Sequence, residues 1–142
     1  MIRKNNRGFT LIETTLVLII TISLLRMTVV WGPRQPQVAE RAFWPAWQRL
    51  WTSGCERALA KGEPLQVRID SVHRRIVLET REGQGLERLS IPETLKLSHG
   101  RPLLVIYPSG GGQSQTLWWV SSASGHRWKQ SFQLGGGLFY VS

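Results

Sequence analysis

Gly8-Phe9-Thr10-Leu11-Ile12-Glu13 stands between a basic leader, with Arg3, Lys4 and Arg7, and an apolar run that reaches Trp31. From Phe9 to Leu25 the only interruptions are Thr10, Glu13, Thr14, Thr15, Thr21 and Ser23. At 1.5 Å per residue, Phe9 to Val30 predicts a helix of roughly 33 Å, the thickness of a bilayer core. The Thr hydroxyls can bond back to helix carbonyls. Arg26 is placed to snorkel toward headgroups, and Trp31 suits the far interface. The basic cluster before Phe9 predicts a cytoplasmic N-terminus and an exported remainder. One charge disturbs this pattern. A carboxylate at Glu13, near the start of a membrane-ready helix, is costly without a partner and is by default a functional residue.

A secretory signal peptide would carry an A-x-A-like site after the apolar run. The residues there are Arg26-Met27-Thr28-Val29-Val30-Trp31-Gly32, which offer none. A plain signal anchor would leave Glu13 without a purpose.

The Gly8–Glu13 segment behind its basic leader resembles the class III leader of the type IV pilin and pseudopilin superfamily. The resemblance implies cleavage between Gly8 and Phe9 by a prepilin peptidase, N-methylation of Phe9, and retention of the apolar helix as the filament spine. Glu13 becomes the assembly contact, pairing with the α-amine of a neighbouring processed subunit. The implied organisation is a leader over residues 1–8, a transmembrane and filament-core helix over 9–31, and an extracytoplasmic domain over 32–142. The implied partners are other pilin-like subunits, the prepilin peptidase, the membrane assembly platform, the lipid bilayer and, indirectly, the assembly ATPase.

The remaining chain predicts an α+β, pilin-like fold: one long, broken helix and then a small antiparallel sheet. Pro33 and Pro36 punctuate the exit from the first helix. Helical spacing resumes from Gln37 to about Lys61, with Phe43, Trp47, Leu50, Trp51, Cys55, Ala58 and Leu59 on one stripe. Pro45 reads as an internal breaker that moves the helix start to Trp44, and Gly62 as a C-cap. The Trp44, Trp47 and Trp51 group fits core packing better than a stacking platform for nucleic acid. Beyond Gly62 the period becomes two. Strands are expected at residues 65–70, 75–80, 86–91, 103–107, 116–121, 131–134 and 138–141. Short connections favour antiparallel pairing.

The formal net charge of the 142-residue chain is +9, and its last acidic residue is Glu93. Lys96, Arg101, Arg127 and Lys129 follow with no acid among them, which makes them candidate contacts to DNA or to anionic polymers of the cell envelope, beside the plainer reading of a solvated surface. The single cysteine, Cys55, excludes an intramolecular disulfide and is expected to be buried. The sequence contains no P-loop, G-x-S-x-G, H-E-x-x-H or C-x-x-C motif, and His73, His99 and His126 lack metal-ligand spacing. No catalytic residue, cofactor site or metal site is expected, so the chain reads as a substrate of enzymes and not as one.

Within the superfamily, Ile91-Pro92-Glu93-Thr94-Leu95, Gln115-Thr116-Leu117 and Phe132-Gln133-Leu134-Gly135-Gly136-Gly137-Leu138-Phe139 are similar to ComGD-like minor pseudopilins of Gram-positive competence systems. That likeness implies a minor subunit of a competence pseudopilus that serves DNA binding and uptake in transformation. A minor pseudopilin of a type II protein secretion system, or a membrane-anchored DNA-binding module, are the alternatives.

Overall fold

The computed structural model describes residues 11–31, 36–133 and 138–142; the side chains of residues 25–31 are not described. The chain divides into two compact units, Met1–Arg34 and Gln35–Ser142. The first contains helix α1 (Leu11–Trp31). The second contains helix α2 (Pro36–Lys61) and eight strands: β1 (Leu65–Asp70), β2 (Arg75–Thr80), β3 (Gly85–Ser90), β4 (Leu95–His99), β5 (Leu103–Ile106), β6 (Gln115–Ser121), β7 (Arg127–Phe132) and β8 (Phe139–Val141).

Helix α2 begins on Pro36, where the missing N–H costs no helix bond. It then runs through Pro45, so the expected start at Trp44 is wrong. Pro45 cannot donate to the carbonyl of Arg41, a defect that costs a helix about 3 kcal/mol in isolation. Anchors on both sides hold the helix across it. Phe43 and Trp47 are buried, and one turn earlier Glu40 accepts hydrogen bonds from the hydroxyls of Thr94 and Ser121. The C-terminus follows expectation: Gly62 takes φ +64°, the left-handed conformation that favours glycine.

The strands form two four-stranded antiparallel sheets, ordered β3-β2-β1-β5 and β4-β6-β7-β8, where a single small sheet was expected. The chain alternates between them, since β4 and β6 belong to the second sheet and β5 returns to the first. Strand β4 was not foreseen. It lies beyond Pro92 and pairs with β6 through a register shift between Leu97 and His99. Strand β7 begins four residues earlier than its expected position.

The segment 91–95 carries the chain from one sheet to the other. Arg74, which holds φ 50° at the end of the β1–β2 turn, donates from Nη2 to the carbonyls of Pro92 and Leu95. The Ile91 N–H donates to the Arg74 carbonyl at 2.8 Å. Glu40, buried at 5 % exposure, is satisfied by the Thr94 and Ser121 hydroxyls and so ties α2 to this junction.

One core joins α2 to both sheets. Trp47, Trp51, Ala58, Val67, Ile76, Leu78, Leu104, Ile106, Leu117 and Trp119 are all fully buried. The aromatic stripe of α2 is thus core, as expected, with Trp51 4.6 Å and Trp47 6.2 Å from the Phe132 ring centre. Leu59 departs from the expected stripe and is exposed, because the buried line ends on Cys55 and Ala58.

Cys55 is buried and free. Burial first, and then the neighbouring Glu56 carboxylate, push its thiol pKa up to about 11. At pH 7 the reactive thiolate is therefore scarce. A maleimide is expected to leave the folded chain unlabelled at pH 7 and to label it fully in denaturant; intact mass reports both.

Candidate functional site

Gly8 and Phe9, the expected cleavage and methylation residues, lie outside the described residues. Glu13 is described. It occupies the first turn of α1 and is exposed. Among the described side chains of α1, Leu11 to Leu24, it is the only charged one, and all of them are exposed within their unit. Large apolar groups dominate this surface, including Leu11, Ile12, Leu16, Leu18, Ile19 and Leu24. The polar residues turn inward on their own backbone. Thr14 and Thr15 donate to the Leu11 carbonyl, Thr21 to that of Val17 and Ser23 to that of Ile19, each at 2.8 Å. With the described hydroxyl protons engaged inside the helix, the described surface is mainly hydrocarbon and carries one carboxylate. Among the described residues, no helix is long and apolar enough to cross a membrane; the described side chains of α1 end at Leu24.

The candidate DNA contacts separate into two places. Lys96, Arg127 and Lys129 come together on the outer face of the second sheet. Along β6, Leu117, Trp119 and Ser121 are buried while Thr116, Trp118 and Val120 face outward. Register carries the face across the strands: Lys96 opposes Val120, which opposes Arg127, and Lys129 opposes Trp118. Arg101 stands apart in the β4–β5 connection, where its carbonyl accepts from Gln115 at the start of β6.

Trp118 was missed as a site residue from the sequence, and it sits at the middle of this face. The Arg127 guanidinium carbon lies 5.5 Å from its ring centre and Lys129 Nζ 6.0 Å. Both distances suit cation–π attraction. The adjacent Trp119 points inward and donates from Nε1 to the buried Gln130 at 2.9 Å. Strand alternation was the available signal, but two neighbouring tryptophans fit either phase of it.

The outer face of the first sheet is different in kind. Arg68 clasps the buried Glu79 carboxylate through two hydrogen bonds of 3.1 and 2.9 Å, and Arg75 donates to Asp70 at 3.3 Å. The His73 backbone N–H, bonded to Asp70 at 3.0 Å, leads the effects that hold the Asp70 carboxyl down at about 2.

A cleft of about 310 Å³ is lined by Gln37, Glu40, Arg41, Trp44, Ser124, His126 and Trp128. Glu40 is already bonded to Thr94 and Ser121 within it. Among the described residues, no group of three or more His, Cys, Asp or Glu is placed to hold a metal ion.

No protein-family model and no curated protein matches the sequence. Solved structures do match. The minor pseudopilin EpsH from the type 2 secretion system of Vibrio cholerae aligns with a TM-score of 0.52 at 19% identity, over 69% of this chain and 91% of that one. The type IV minor pilin FimU of Pseudomonas aeruginosa aligns with a TM-score of 0.55 at 11% identity, over 75% of this chain and 87% of its own. A second EpsH structure gives 0.50 at 18% identity, over 68% and 88%. At such identities the likeness concerns the fold, and the fold is pilin-like.

Proposed function

We propose that this chain is a minor pilin-like subunit of a filament assembled at the membrane, with a structural and not a catalytic contribution. The observation that carries the reading is α1. A helix whose described side chains are all exposed, and apolar apart from Glu13 and four hydroxyls that donate to the helix's own carbonyls, needs lipid or other helices around it, and it precedes a pilin-like domain. In this reading residues 9–31 span the membrane with the N-terminus cytoplasmic, the peptidase cuts after Gly8, and Phe9 becomes the methylated N-terminus. The α-amine so created is the natural partner for Glu13 of a neighbouring subunit. Lipid bilayer, sister pilin-like subunits, assembly platform and assembly ATPase are the partners.

For the cargo, DNA uptake through a competence pseudopilus is the finer reading. It is supported by the unpaired cations on the outer face of the second sheet and by the ComGD-like segments. Protein secretion is the second reading, favoured by the alignments with EpsH. Deletion followed by separate assays of transformation and exoprotein secretion tests both. Loss of DNA uptake alone is expected; loss of secretion alone transfers the chain to the second reading, and no change in either refutes the subunit proposal. In the undeleted parent strain, intact mass of the membrane-extracted protein is expected to lack residues 1–8 and to carry one added methyl group.

A further inference from the structure

The second sheet presents cations that no described carboxylate neutralises. Every residue after Glu93 is neutral or basic. No described carboxylate pairs with Lys96, Arg127 or Lys129, although Arg57, Arg68 and Arg75 are paired elsewhere. Arg127 and Lys129 are exposed, and they lie over the half-buried Trp118 ring. On the same face, Tyr140 of β8 is 60% exposed and opposes Ser131, which opposes Thr116. The face therefore combines cations and aromatic rings on a rigid sheet, with hydroxyls between them and no acid.

We infer that the outer face of the second sheet binds single-stranded nucleic acid, with Lys96, Arg127 and Lys129 on phosphates and Trp118 as the surface on which a base stacks. Charge complementarity selects a polyanion. The half-buried Trp118 ring and the exposed Tyr140 ring select one whose bases are unpaired, because stacking needs an open base face. Displacing Arg127 and Lys129 from Trp118 onto phosphates exchanges a surface cation–π contact for a charge-assisted hydrogen bond, which is the stronger interaction. The inference rests on the nucleic-acid side of the proposed function and is independent of filament assembly.

The test uses the full chain in nanodiscs of zwitterionic lipid and a short fluorescein-labelled oligothymidylate, followed by anisotropy. Binding is expected at about 50 mM salt and is expected to weaken steeply toward about 200 mM. Exchanging Arg127 and Lys129 together for Gln is expected to reduce the salt slope by about 1.4, two phosphates at roughly 0.7 each. Trp118→Leu is expected to weaken binding roughly tenfold while leaving the slope unchanged. Arg81→Gln, an exposed cation in the β2–β3 turn, serves as the control and is expected to bind as the parent does. Near-ultraviolet circular dichroism checks that each variant is folded. Absence of binding at low salt overturns the inference. So does a folded Trp118→Leu that binds like the parent, equal binding to duplex DNA and heparin, or an Arg81→Gln loss as large as that of the double variant. None of these outcomes bears on the deletion phenotype, so failure here and failure of the subunit proposal are separable.

Discussion

Trp51→Ala is expected to destabilise the domain over residues 35–142 by about 3–5 kcal/mol, the range for truncating a large buried aromatic side chain. Trp51 is fully buried and lies 4.6 Å from Phe132 and 6.3 Å from Trp47 between ring centres. It joins α2 to the second sheet, so its loss removes transfer energy and leaves a cavity that a rigid sheet cannot close. For a domain of this size the melting temperature should fall by about 10 °C or more. The contact with Gly112 gives a sharper test. A Cβ built on Gly112 would stand 2.3 Å from Trp51 Cζ2, far inside van der Waals contact. Gly112→Ala is therefore expected to cost about 1–3 kcal/mol when Trp51 is present. In the Trp51→Ala background the obstruction is gone and the same exchange should cost almost nothing. Thermal melts of the four proteins, followed by near-ultraviolet circular dichroism, measure the coupling. Additive effects, or a Trp51→Ala loss below about 1 kcal/mol, contradict this account of the core.

The dependence of the core on Trp51 also marks what periodicity can reveal. Helical spacing put Phe43, Trp47, Leu50, Trp51, Cys55, Ala58 and Leu59 on one face, and all but Leu59 are buried. Period two located β1 and β2 with their observed bounds. Both signals report which side of an element faces apolar surroundings, and neither reports which strands share a sheet. Two sheets on one helix and one sheet on one helix produce the same alternation. The strand expected at 131–134 misses residues 127–130 of β7 for a related reason. The buried Gln130 is satisfied by Trp119 Nε1, so a polar residue occupies a core position and breaks the pattern. Pro45 misled because a local defect outweighs its neighbours in a sequence reading, whereas buried anchors at Glu40, Phe43 and Trp47 outweigh it in the fold. At the candidate sites, Glu13 was legible as a charge in an apolar run, and the basic residues as a stretch without acids. Trp118 was not, because its significance comes from the cross-strand register that sets it beside Lys129.

Glu13→Ala is expected to leave the chain in the membrane fraction and to reduce its amount in sheared filaments by roughly 100-fold or more. The described hydroxyls of α1 donate to its own carbonyls, and Glu13 is the one charged group among the described side chains of the helix. Insertion depends on the summed apolar surface, and removing a carboxylate makes it easier. Assembly is different. When helices pack together in hydrocarbon, the α-amine of processed Phe9 loses its water and requires an anion. Removing one member of such a pair costs about 3–5 kcal/mol, because the remaining charge is left buried and unpaired. At about 1.4 kcal/mol per decade, that range corresponds to roughly 100- to 4,000-fold in the assembly equilibrium. Glu13→Gln should be nearly as damaging, since it keeps the shape and loses the charge. Glu13→Asp should recover part of the assembly, since it keeps the charge on a shorter arm. This order, with Asp above Gln and Gln close to Ala, separates an ion pair from a packing role, for which Gln would be the best replacement. Immunoblots of sheared and membrane fractions read it directly. Wild-type amounts of Glu13→Ala in the sheared fraction, or Gln assembling better than Asp, would remove the α-amine as the partner of Glu13.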